Sequence, residues 1–163
     1  MVDAETSQPL DGAAVAIRWF ENPSETESGT AQTVAAAQNL SDKNGTFSIP
    51  EYPDKNYVMA AYKEGYICWS SRSAFAGDEN DKSGPYLSPP VENGMQIRLK
   101  PLKEEDSRDE HAAFTVLVAG EVAQSKKGPF YRAILPLFRK WRDNLRREFQ
   151  SKIGNQKNGA GVR

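Results

Sequence analysis

Apolar and polar residues alternate with period two from Ala13 to Phe20, placing Val15, Ile17 and Trp19 on one side and Ala14, Ala16, Arg18 and Phe20 on the other. That period is the signature of a β-strand. Thr30–Leu40 continues as strand, with Val34, Ala36 and Leu40 sharing a face in spite of an alanine run, because a turn follows directly. In Ser41-Asp42-Lys43-Asn44-Gly45 the Asn and Gly tolerate the positive φ of a tight connection, so Gly45 is predicted at the turn. Beyond it Phe47 and Ile49, then Val58, Ala60 and Tyr62, alternate again, predicting two antiparallel strands after the turn. Met95, Ile97 and Leu99 make a last strand, closed by Pro101.

After Pro101 the period changes. Ser107 and Glu110 have the spacing of a capping box, and Phe114, Leu117, Val118 and Val122 recur at helical intervals. The run Phe114–Val118 is β-branched enough for a strand, and the helical reading is the better of the two. Lys126, Lys127 and Gly128 form a turn, and Pro129 suits the first position of a second helix. Ile134, Phe138, Trp141, Leu145 and Phe149 make its apolar stripe, with Arg139, Arg142, Arg146 and Arg147 mainly off it. Such a helix is amphipathic with a basic side. Pro136 marks its regular start or a kink, Gly154 its end, and residues 155–163 a disordered tail. Burying the stripe against the preceding elements is the expected fate of Phe138, Trp141, Leu145 and Phe149, with the basic side left outside.

The strand pieces carry a likeness. Asp42, Gly45, Phe47, Pro50, Tyr57, Gly65 and Tyr66, preceded by the opening Val2-Asp3-Ala4-Glu5-Thr6-Ser7-Gln8-Pro9-Leu10-Asp11-Gly12-Ala13-Ala14-Val15, resemble the carboxypeptidase regulatory-like domains. Ser7 stands where that pattern usually has Gly. The resemblance covers residues 2–101 and implies a prealbumin-like, Ig-like antiparallel β-sandwich, followed at 102–154 by a helical hairpin packed on it, α+β overall. It further implies a non-enzymatic module engaging protein or glycan at a bacterial cell envelope. In that family a strand begins before the Val-x-Asp element, so an N-terminus cut short, with an export signal or lipid anchor upstream, is expected.

Composition narrows the chemistry. At 163 residues, one domain with an appendage is the natural size. The single Cys, Cys68, excludes an internal disulfide and a cysteine metal cage, and the single His, His111, leaves little for acid–base work. Cys68 reads as a small buried hydrophobe, and His111, among Asp109 and Glu110 in a helix's first turn, as an exposed surface residue. Neither the several histidines nor the Tyr-Arg-Gly-Ser ending of prealbumin-like hydroxyisourate hydrolases is present. The run Asp78-Glu79-Asn80-Asp81 has oxygen ligands, but Lys82 and Pro89 occupy positions where an EF-hand needs two more, so it reads as a solvated loop. No cofactor or metal is implied.

Charge is unevenly spread: residues 1–125 carry 10 Lys or Arg against 20 Asp or Glu, and residues 126–157 carry 10 against 2. The alternative to the envelope module is therefore a binding subunit whose basic helix meets an acidic protein or a membrane surface. A hydrolase accessory domain is a further alternative. The helix's aromatics lie in its apolar stripe and the acidic body repels phosphate, so nucleic acid is not implied. Trp69, Phe75 and Tyr86, bordering the long Gly- and Pro-punctuated segment 70–91, are the candidate ligand or partner contacts. Arg139, Arg142, Arg146 and Arg147 are the candidate basic surface.

Overall fold

The computed structural model describes residues 1–21, 31–50, 55–75, 94–122 and 127–159, with side chains through Lys152. Elements follow in the order β1 (Val2–Asp3), β2 (Ala14–Glu21), β3 (Gln32–Leu40), β4 (Asn56–Tyr62), β5 (Trp69–Ser70), β6 (Arg98–Leu99), α1 (Arg108–Val122) and α2 (Pro129–Gly159). The fold is α+β. A four-stranded antiparallel sheet has the order β3-β2-β4-β5, and β1 and β6 form a separate parallel pair.

Strand β2 lies inside the larger sheet and separates two cores. Ala14, Ala16 and Phe20 share one with Val58, Ala60 and Tyr62 of β4, Val118, Ala119 and Val122 of α1, and Phe130 and Ile134 of α2. Val15, Ile17 and Trp19 share the other with Met59 and Ala61 of β4, and with Ile97 and Leu99 beside the small sheet. The alternation read along β2 and β4 is thus realised on both faces. Burying each large aliphatic or aromatic side chain this way is worth about 1.5–3 kcal/mol.

Topology departs from the expected hairpin. The Gly45 turn forms: Gly45 has φ of 72°, its N–H donates to the Asp42 carbonyl at 2.8 Å, and Asp42 Oδ1 accepts from the N–H groups of Asn44 and Thr46 at 2.9 Å each. Yet Thr46–Pro50 belongs to no strand. β3 pairs with β2, and β4 takes the other edge of β2. The Asn39 side-chain amide donates to the Ser48 carbonyl at 2.8 Å, taking the place of a ladder bond, while Phe47 and Ile49 still pack on the core. In β3 the shared face of Val34, Ala36 and Leu40 is broken by a bulge opposite Trp19 and Phe20, and Val34 and Leu40 are exposed on this edge strand. The last strand is shorter than its pattern, Arg98–Leu99, although Ile97 and Leu99 are buried as expected.

Both helices form. Ser107 Oγ accepts from the Glu110 N–H at 3.3 Å, the predicted cap. The buried face of α1 is set by His111, Ala112, Thr115, Val118, Ala119 and Val122, which leaves Leu117 of the expected stripe 64% exposed. α2 begins at Pro129 and contains Pro136 internally. It passes through Gly154 to Gly159, so residues 155–159, expected as disordered tail, are helical.

One anchor of α2 comes from the sheet. Gln38 Oε1, on β3, accepts from the N–H groups of Phe130 at 3.0 Å and Tyr131 at 3.3 Å. These are free donors of a helix's first turn, normally satisfied by a local side chain. Gly128 precedes them and has no side chain to offer, and any Cβ there would run into the Gln38 amide.

At Gly45 the backbone needs a left-handed φ, and a Cβ would run into the carbonyl oxygen of Met1, whose N-terminal amine donates to the Gly45 carbonyl. Gly45→Val should therefore destabilise the protein by roughly 2 kcal/mol or more through backbone strain and displacement of residue 1. Chemical denaturation checks this, and an unchanged midpoint would contradict the turn geometry.

Candidate functional site: the helical hairpin and the cleft beneath it

Among the described residues, the aromatic candidates Trp69 and Phe75 line one hollow, apart from the basic candidates on α2. Phe75 is 8% exposed, its ring 5.5 Å from His111 and 5.7 Å from Phe114, so it packs mainly as core while also lining that hollow. Trp69, in β5, is half-buried and lines this hollow of ≈ 380 Å³ with Ser70, Arg98 and Lys100. Tyr86 and the acidic run 78–81 lie outside the described residues. Among the described residues no group of three or more potential metal ligands occurs, and no helix is long and apolar enough to cross a membrane.

His111 is a correction. Expected on the surface, it is 1% exposed, because the phase of α1 turns it toward β5. Its Nε2 accepts the Cys68 backbone N–H at 3.0 Å, which places the proton of the neutral ring on Nδ1. Tyr62 stacks at 6.5 Å and Phe75 meets the ring edge-on. Nδ1 is buried and has no hydrogen-bond partner among the described residues. The sequence signal was available in part: position 111 stands one turn before Thr115 and two before Val118, on the face that is buried.

Other reactive groups are bound into the framework. Cys68 is buried, and burial pushes its thiol up to about 12 against a smaller opposing pull from Thr115. Asp3 Oδ1 accepts from the N–H groups of Glu5 and Thr6 at 2.8 Å each, and its Oδ2 from the Tyr66 hydroxyl at 2.9 Å. The Thr6 backbone bond does most to hold the Asp3 carboxyl below the usual range.

α2 has two unlike halves. Phe130 and Ile134 are buried, Leu137, Phe138 and Trp141 half-buried, and Asn144 still reaches α1, its amide donating to Asp109 Oδ1 at 3.2 Å. α1 begins at Arg108, so among the described residues no helix lies beside α2 after that contact. Leu145 is 47% and Phe149 68% exposed, correcting the expectation that the whole stripe is buried. Residues 145–159 extend roughly 22 Å at about 1.5 Å per residue. Arg139, Arg142, Arg146 and Arg147 are all exposed, as expected. Arg142 pairs with neighbouring Asp143 at 3.5 Å, and Arg147 donates to Asn144 Oδ1 at 2.6 Å.

Beneath the docked half, between the β4–β5 turn and the first turn of α1, lies a cleft of ≈ 570 Å³ lined by Tyr62, Tyr66, Arg108, His111, Lys140 and Trp141 among others. Comparisons with protein-family models, curated proteins and solved structures give no significant match. The class this geometry defines is an α+β domain in which a helical hairpin closes one face of an antiparallel sheet.

Burial lowers the His111 pKa from 6.5, with Asp106 pulling the other way. The unfolded chain then binds a proton near pH 6.5 that the folded chain refuses, so stability present above pH 6.5 is lost as the pH falls toward the folded value. We expect the urea midpoint to drop between about pH 7 and pH 5, and His111→Gln to flatten that slope. The Met1 amine, also lowered by burial, has its window starting higher, at 8.0, so the difference between the two proteins isolates the imidazole. Equal slopes would place His111 in water.

Proposed function

We propose that this chain is a non-enzymatic interaction module of the bacterial cell envelope, built on a prealbumin-like β-sandwich of the carboxypeptidase regulatory-like kind, whose projecting α2 engages an acidic protein partner. The observation that carries the reading is the exposure of Leu145 and Phe149 in the midst of exposed arginines. Residues 139–152 hold six Lys or Arg against two Asp or Glu. Apolar anchors ringed by cations suit an acidic surface carrying apolar pockets, and the cations speed encounter.

Support for the sandwich comes from the two sheets sharing one core through Ile17, Trp19, Met59, Ile97 and Leu99. The residues of the family likeness also act together: Asp42 and Gly45 build one turn, and Asp3 and Tyr66, far apart in sequence, hydrogen-bond to each other. The non-enzymatic reading draws on the structural employment of Cys68, His111 and Asp3. Glycan contact at Trp69 has less in its favour, since Phe75 is committed to the core.

The experiment compares the parent with Leu145→Ser/Phe149→Ser and Arg142→Glu/Arg146→Glu variants. Exposed substitutions of this kind change stability by about 0.5 kcal/mol or less, while binding to immobilised poly-L-glutamate should fall in both. A stability loss of about 2 kcal/mol or more in the serine variant would mean that the arm is packed. Retained poly-glutamate binding with loss on anionic vesicles would transfer the role to a membrane surface.

A further inference from the structure

The cleft under the hairpin has the size and the wall chemistry of a small-ligand site. Its ≈ 570 Å³ falls among the roughly 300–1,000 Å³ of such sites, which combine apolar walls with a few placed polar groups. Leu137 and Trp141, one helical turn apart on α2, line it together with Tyr62 and Tyr66. The Tyr66 hydroxyl is taken by Asp3, so what it contributes to the cleft is ring surface.

Two of the lining side chains are cations. Arg108 and Lys140 form no ion pair with any carboxylate among the described residues. Two acids line the cleft as well, Asp109, whose Oδ1 accepts from the Asn144 amide, and Glu64 at the β4–β5 turn. The wall therefore carries two cations that no carboxylate among the described residues pairs, beside the carboxylates of Glu64 and Asp109. His111, also in the lining, has an Nδ1–H that is buried and without a partner among the described residues. A buried donor of this kind is satisfied in nearly all folded proteins, by protein, water or ligand.

We propose that this cleft binds a small monocarboxylate with an aromatic or aliphatic body. Arg108 and Lys140 receive the carboxylate, the guanidinium by paired hydrogen bonds and the ammonium as a point charge. Tyr62, Leu137 and Trp141 cover the body, and His111 Nδ1–H serves an acceptor that reaches the floor. Glu64 and Asp109 disfavour a second negative charge. The site is separate from the projecting arm, since every residue invoked precedes Leu145.

The test is a titration of the full, isotope-labelled chain with N-acetyl-L-phenylalanine and, in parallel, with its carboxamide, followed by NMR. The acid should shift the Trp141 indole and His111 imidazole signals saturably, and the carboxamide should bind at least about tenfold more weakly. Arg108→Met/Lys140→Met should reproduce that loss while keeping the dispersed spectrum of the folded chain. The acid–carboxamide comparison needs no variant, so misfolding of the double substitution would leave the result intact. Equal binding of acid and carboxamide, shifts centred on Trp69 in place of Trp141, or no shift up to about 10 mM would overturn the proposal.

Discussion

The structure depends on β2 being buried on both faces with side chains of unlike size. Ala14 and Ala16, with Ala60 beside them on β4, present a shallow surface to the hairpin, and fully buried Phe130 fills the space they leave. Val15, Ile17 and Trp19 present a deep surface to Ile97 and Leu99. Small residues let helices lie close to a sheet, and large ones fill the wider gap toward the two-stranded pair. Exchanging the two sets by a one-residue slip would overpack one core and hollow the other, so the register of β2 with β3 and β4 is strongly specified.

That constraint explains what the sequence made legible. Period two in β2 and β4, the positive-φ glycine at 45 and the Ser107 cap are local signals, each carried by a few adjacent residues, and each is realised. Strand pairing was not legible in the same way. The turn at Gly45 suggested that its flanks pair, but β2 has apolar residues on both faces and so takes the interior position between β3 and β4. Nothing local to Gln38 in the sequence hints that it caps a helix 92 positions later.

The candidate site was less legible still. His111 reads as a surface residue from its charged neighbours, yet the first turn of α1 places it against the Cys68 backbone. The aromatic stripe of α2 was visible in full, but periodicity cannot say how far a helix is accompanied. α1 ends its company near Asn144, and the stripe continues past it to Phe149. The same stripe therefore divides in two: its first half seals a core and walls a cleft, and its second half, Leu145 and Phe149, is left exposed. The charge asymmetry follows this division, because the acidic residues concentrate in the body and the cations along the helix that leaves it.

Amide hydrogen exchange resolved along the chain tests this division most directly. Exchange protection reports how much of the fold must open to free each amide. The account predicts that β2, β4, α1 and the part of α2 from Phe130 to Trp141 share the slowest exchange, and that protection falls sharply beyond Asn144. Protection continuing undiminished to Gly159, or fast exchange throughout α1 and the first half of α2 while the sheet stays protected, would contradict it.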